Sequence, residues 1–319
     1  MLTAICDISG IQFWRSEHPL ALKKLHCHMD MPTELSAYVP LFPFEKYHIT
    51  RPLHIMVIDQ ADRRLSTKAK YHVAQESMPP NSFVRINESL IVASPELCFV
   101  QAAQHLPFVQ LVRVGFELCG TYPYEKTESG HRHRPSTTVK ALKDFIAEAK
   151  GMFGTKKAKK ALDHIIENSA SPMETVSAML LCLPPYLGGY GIPHPRLNHM
   201  IRLGSKNQKR SGKKSYRVDF FWPEAHLALE YDSNAHHTGA DKIAADSIRR
   251  DIISAIHGMV LTLTWGQVCN VSEFDTMAHI VAKHLDYPMR IRRSDWKTKR
   301  NDLRSTLLGT NPWYVWENF

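Results

Sequence analysis

Asp219, Glu230 and Asp232 are three acids within the segment YRVDFFWPEAHLALEYDSNAHH at 216–237. Two apolar runs and a turn separate them. Residues 217–222 and 226–232 predict two β-strands, and Pro223-Glu224-Ala225 predicts the turn of a hairpin. With a two-residue loop at Glu224-Ala225, Asp219 and Glu230 lie equally far from the turn. They then face each other with Cβ atoms about 4.5–5.5 Å apart. A three-residue loop staggers them instead. Asp232 lies two residues beyond Glu230 and shares its face. Like charges this close repel and raise each other's pKa. A hard divalent cation with oxygen ligands neutralises them, and such an ion polarises a phosphoryl oxygen and activates water. Pairing with Arg217, Arg249 and Arg250 neutralises them equally well, and the residues alone do not choose between the two.

The charge of the chain points to a polyanionic partner. Its 319 residues carry a net charge of +9 and a pI near 9.2, and excess positive charge favours such partners. Residues 202–217 hold seven Lys or Arg and no acid. This stretch is also rich in Gly and Ser, so it predicts a mobile loop, and its Lys206, Lys209, Arg210, Lys213 and Lys214 are candidate phosphate contacts beside the acids. Residues 289–304 hold another seven bases against Asp295 and Asp302. The Lys156, Lys157, Lys159 and Lys160 group reads as a solvated helix face.

The acid-bearing hairpin resembles the core of the PD-(D/E)XK nuclease superfamily, in which a strand carboxylate, a tight turn and an apolar strand ending E-x-D or E-x-K recur. The text V-D-F-F-W-P-E-x-x-L-A-L-E-Y-D-S-x-x-H-H is similar to the Vsr-like branch, the relatives of very-short-patch-repair endonucleases. In that branch the hairpin is succeeded by a helix containing R-D, a Gly and a β-run. Arg249-Arg250-Asp251 within 241–257, Gly258 and the run at 259–265 resemble these three. Ser171-Pro172-Met173-Glu174 resembles the start of its first core helix. The likeness covers about 171–285. It implies a restriction-endonuclease-like mixed sheet flanked by helices, Mg²⁺ or Mn²⁺ as cofactor, and cleavage of nucleic acid, DNA before RNA.

The resemblance also implies roles. Asp219 is the main metal ligand, and Glu230 a second ligand or a group orienting water. Asp232 stands where many relatives have Lys, a replacement common in the branch, and this leaves the general base open. His237 is the first candidate for it and His236 the second, since histidine titrates near neutrality. Glu174 adds a carboxylate, or is an ordinary helix-terminus acid held by the dipole. Arg249 and Arg250 contact phosphate or the acids. Ser233 replaces a Gly found in many relatives.

The elements that position these residues are legible from pattern. Ser171 as N-cap and Pro172 predict a helix to about Leu183. Earlier, 53–59 reads as a buried strand, and 82–86 with 90–93 as a hairpin. Ser94 and Pro95 open a helix to about Gln104, and another spans 106–118. Residues 138–150 and 156–167 predict two more. The expected division is an N-terminal mixed α/β domain at 1–121, a linker at 122–137 and a helical connector at 138–170. A nuclease-like α/β domain at 171–288 and a basic, aromatic tail at 289–319 complete it. Residues 1–120 resemble, more faintly, the segment joined to such domains in bacterial proteins similar to abortive-infection antitoxins, and this region is expected to bind a protein partner or form a dimer contact, or to sense a ligand that controls the nuclease.

Six scattered cysteines, without a C-x-x-C pair, read as reduced, buried small side chains. No apolar run approaches the length of a membrane helix, and the first ten residues lack a basic n-region. A cytoplasmic location and no membrane partner are expected. Trp265, Trp296, Trp313 and Trp316 read first as core, and the segment 311–319 as docked on the body. Two functions compete: a metal-dependent endonuclease, in phage defence or DNA processing, and a catalytically silent nuclease fold kept as an antitoxin-like DNA-binding regulator.

Overall fold

A computed structural model of the chain describes residues 2–16, 27–39, 43–122, 134–232, 247–249, 251–255 and 258–309. The fold is mixed α/β, as the sequence predicts, and the chain divides into two compact units, Met1–Ile165 and Ile166–Pro312.

The first unit is built on β1 (Thr3–Ile5), α1 (Asp7–Arg15), β2 (Cys27–Met29), β3 (Leu53–Val57), β4 (Ala69–Val73), β5 (Phe83–Arg85) and β6 (Leu90–Ala93). The strands form one sheet in the order β2-β5-β6-β1-β3-β4. Strands β1, β3 and β6 are buried on both faces, so they read as continuous apolar runs rather than alternating ones. Helix α2 (Pro95–Ala102) starts where Ser94 Oγ accepts the Leu97 N–H, and α3 (Phe108–Leu118), α4 (Val139–Glu148) and α5 (Thr155–Leu162) come after it. The helices at 139–162 thus belong to this unit. The linker expected at 122–137 lies largely outside the described residues.

The second unit holds the acid-bearing hairpin. Helix α6 (Pro172–Cys182) begins at Ser171, whose Oγ accepts the Glu174 N–H at 3.1 Å. Strand β7 (Arg196–Arg202), helix α7 (Ser205–Ser211), strand β8 (Ser215–Trp222) and strand β9 (Leu227–Asp232) come next. Helix α8 (helical at 247–249 and 251–255) leads to β10 (Met259–Thr264), α9 (Trp265–Cys269), α10 (Val271–His284) and α11 (Trp296–Leu308). The sheet order is β10-β9-β8-β7, antiparallel except for the β9–β10 pair. Ile252 and Ile253 of α8 pack with Tyr216, Val218, Phe221 and Ala228 in one buried cluster, which fixes α8 over the hairpin. Gly258 makes the return to β10 possible. Its φ is +83, and a Cβ there would meet the His226 carbonyl oxygen at 2.9 Å, a conformation and a closeness that favour glycine.

Four expectations need correction. The basic segment 202–217 is not a continuous loop, since α7 forms within it: Gly212 at φ +69 closes the helix, and Gly204 precedes it. Helix α11 forms within the expected tail at 289–319, and its Trp296 is buried and donates to the Gly189 carbonyl at 3.0 Å. Trp265 is exposed rather than core. Cys269 is exposed too, whereas Cys6, Cys98, Cys119 and Cys182 are buried and free. Among the described residues no helix is long and apolar enough to cross a membrane.

Candidate functional site

Asp219 lies on β8, and Glu230 and Asp232 lie on β9. Strand β8 pairs with β9 as Phe220 to Leu229, Phe221 to Ala228 and Trp222 to Leu227. One further step of that register sets Asp219 opposite Glu230. The loop, however, is Pro223–His226 rather than two residues. Pro223 has no N–H to give the ladder and opens a 3-10 turn, which His226 ends at φ 49. Residues 223 and 226 flank the same midpoint as 224 and 225, so the register is that of the shorter loop.

The ladder stops at Asp219 for a reason. Its Oδ2 accepts the Tyr231 backbone N–H at 2.7 Å, so a side chain takes the place of a strand carbonyl. On the other side, β7 and β8 pair Leu197 with Phe220 and His199 with Val218, skipping the step between Asn198 and Asp219. Asn198 is left-handed at φ 50, which asparagine tolerates better than most residues. Its Nδ2 donates to Glu174 Oε2 at 2.5 Å and to the Asn168 carbonyl at 2.9 Å.

Glu174 thereby joins the site. It lies in the first turn of α6, is 7% exposed, and also accepts the Ala170 N–H at 2.8 Å. It satisfies a donor at the helix start, as the helix-terminus reading expects, and its carboxyl feels the Asp219 charge. Burial pushes its carboxyl up to about 7, and the Asp219 charge adds to the rise, against hydrogen bonds from Ala170, Asn198 and Ser171. Burial likewise raises Asp219, against the Tyr231 N–H and Arg249.

A cation already reaches part of the cluster. Arg249 Nη2 lies 2.6 Å from Glu230 Oε2 and donates to the Arg217 carbonyl at 2.7 Å. Arg217 itself is exposed and contributes that carbonyl. Asp232 ends β9, exposed, beside Thr264 of β10. Lys206, Lys209, Arg210, Lys213 and Lys214 lie on α7 and the turn after it, Lys206, Lys209, Arg210, Lys213 and Lys214 all at the surface. Of these, Arg210 pairs with Asp251 at 2.9 Å. Ser233, His236, His237, Arg250, Trp313 and Trp316 lie outside the described residues, so the candidates for the general base rest on the sequence alone. Asn198 is the residue that sequence reasoning passed over; an asparagine inside an otherwise regular strand run was its one signal.

The donor set fits a hard divalent ion. Carboxylates of Glu174, Asp219 and Glu230 supply oxygen only; burial raises Glu174 and Asp219, and the Asp219 charge raises Glu174 further, a cost that a bound cation would relieve. Arg249 pairs with Glu230 and reaches Asp219 only through space.

No family model matches the chain, and no solved structure does. It is similar to an uncharacterised protein of Mycobacterium tuberculosis, found in two strains. The identity is 26% over 145 residues, which is 46% of this chain and 48% of the relative. The chain thus matches about half the length of these curated relatives.

Proposed function

We propose that the second unit is a divalent-metal-dependent nuclease of the PD-(D/E)XK type, Vsr-like branch, hydrolysing phosphodiester bonds in DNA. The observation that carries this reading is the buried Glu174 carboxyl, raised by burial and by the charge of half-buried Asp219, which stands opposite Glu230 in the β8–β9 register. A like charge set near a buried carboxylate costs stability unless a cation joins them. Mg²⁺ or Mn²⁺ held there would supply Lewis-acid polarisation of the phosphoryl oxygen and a more acidic bound water. Asp219, Glu230 and Glu174 would hold the ion, and Asn198 orients Glu174 through Oε2. Glu230 orients the attacking water, while Arg249, which already reaches its Oε2, balances charge at the phosphate. His237 takes the proton from water, with His236 as its substitute. Lys206, Lys209, Arg210, Lys213, Lys214 and Arg250 hold the phosphate backbone, an interaction that weakens as salt rises. A cytoplasmic location and a role in phage defence or DNA processing belong to the same reading.

One observation favours a second reading. The Arg249–Glu230 ion pair supplies a resident cation, which a nuclease fold kept only for DNA binding would retain. Incubating the purified chain with supercoiled plasmid, and separately with RNA, in Mg²⁺ or in chelator separates the two. The nuclease reading expects metal-dependent nicking of DNA that chelator stops. Tight, salt-sensitive binding of DNA with no cleavage in any divalent metal would establish the binding module instead.

A further inference from the structure

The first unit holds a second cluster of ligating side chains that the nuclease reading does not use. Asp7 follows β1, opens α1 at φ 49, and is 1% exposed. Its Oδ2 lies 3.5 Å from His54 Nδ1 and 3.6 Å from His72 Nε2. The two ring nitrogens are 2.9 Å apart, and the rings stack at 4.9 Å between centroids. Three elements hold these atoms in place. His54 lies on β3, where its carbonyl accepts the Cys6 N–H and its N–H goes to Ser9 Oγ. His72 lies on β4, which runs parallel to β3 with Met56 opposite His72. Asp7 is anchored at its own N–H by Gln101 Oε1 at 3.0 Å.

The spacing suits a metal ion. From those three separations, a point about 1.9 Å from all three atoms lies in their plane, and one slightly out of it is about 2.1 Å from each, the bond length of Zn²⁺ to histidine nitrogen or carboxylate oxygen. We propose that Asp7, His54 and His72 form a two-histidine, one-carboxylate site for a divalent first-row transition ion of the Zn²⁺ or Fe²⁺ class, with coordination positions left open. Two imidazoles and one carboxylate are borderline donors, which select such ions over Mg²⁺. This donor set differs in kind from the all-oxygen cluster of the second unit.

His105 acts on the site through Asp7. Its Nε2 lies 2.9 Å from Oδ1 and 2.8 Å from Oδ2, so it holds the carboxylate plane and is a positioning residue. The charge states agree with ligation. Burial opposes the Asp7 charge, but hydrogen bonds from His105 and His54 outweigh it and hold the carboxyl well below the usual range. Burial lowers His72 to about 4, which keeps its ring neutral with a lone pair to give.

The test uses the full chain carrying Asp219→Asn, stripped with chelator, so that the second unit's acids do not confound it. Titration with Co²⁺ should give one bound equivalent with visible absorption bands, and Zn²⁺ should displace it. His72→Asn should weaken binding by about 100-fold, and His105→Asn by about 10–100-fold. His72 lies on the edge strand of the sheet and His105 is 36% exposed, so each variant supports the test if the other misfolds. Absence of stoichiometric binding, or affinity unchanged in the folded variants, would overturn the site and show a buried carboxylate balanced by histidine charge alone. Neither result bears on DNA cleavage.

Discussion

Asp219→Asn should abolish metal-dependent cleavage, lowering the rate by about 10³-fold or more, the several kcal/mol that a polarising ion contributes to a phosphoryl transition state. The substitution is close to isosteric. Asparagine keeps an oxygen for the Tyr231 N–H that Asp219 Oδ2 now accepts at 2.7 Å, so the junction between β8 and β9 survives. It removes a charge that burial already disfavours, so the folded state should be no less stable near neutral pH. Rates on plasmid, with thermal unfolding and DNA affinity as controls, check this. Cleavage equal to wild type in a folded Asp219→Asn chain rules out the proposed centre. Salt-dependent DNA binding should persist, since the bases of α7 and its turn are untouched.

Glu174→Gln should raise the thermal stability of the metal-free protein, and only above about pH 5. In the folded state the Glu174 carboxyl is lifted from 4.5 to about 7. A carboxyl raised on folding binds its proton more tightly in the native state, so stability is highest below the unfolded value near 4.5 and falls as pH rises towards 7. The loss is about 3 kcal/mol at roughly 1.36 kcal/mol per pKa unit, or on the order of 10 °C in melting temperature for a unit this size. Glutamine keeps the acceptor oxygen for Ala170 N–H and Asn198 Nδ2 without the charge. Wild type in chelator should therefore lose stability between pH 4.5 and 7, while Glu174→Gln should stay nearly level. Parallel pH profiles for the two proteins would contradict the raised Glu174 carboxyl and the burial behind it. Added Mg²⁺ should restore wild type far more than the variant, because the ion takes over the neutralising role.

The sequence carried the hairpin well because its signals are local. Alternation, a proline turn and two flanking apolar runs set the register of Asp219 against Glu230, and even the longer Pro223–His226 loop preserved it. Ser171 and Pro172 marked α6 for the same reason, since capping is chemistry between near neighbours. The Asn198 contact to Glu174 was not legible, because it depends on a left-handed residue within a strand and on a helix 24 positions away. The α7 helix was hidden by composition: Gly and Ser at 204, 205, 211 and 212 suggested a loop, yet two of them are its caps. The Asp7, His54, His72 and His105 cluster spans nearly a hundred residues with no repeated spacing. Only the sheet order, which puts β1 beside β3 and β3 beside β4, gathers it.

The central claim is that Glu174, Asp219 and Glu230 share a divalent ion. Crystals of the full chain soaked in Mn²⁺, with anomalous data collected at the manganese edge, test it most directly. The account predicts an anomalous peak within about 2.3 Å of oxygens from Asp219 and at least one of Glu174 and Glu230, with Arg249 drawn away from Glu230. A fully soaked crystal with no peak at these carboxylates, and Arg249 still bonded to Glu230, would contradict it.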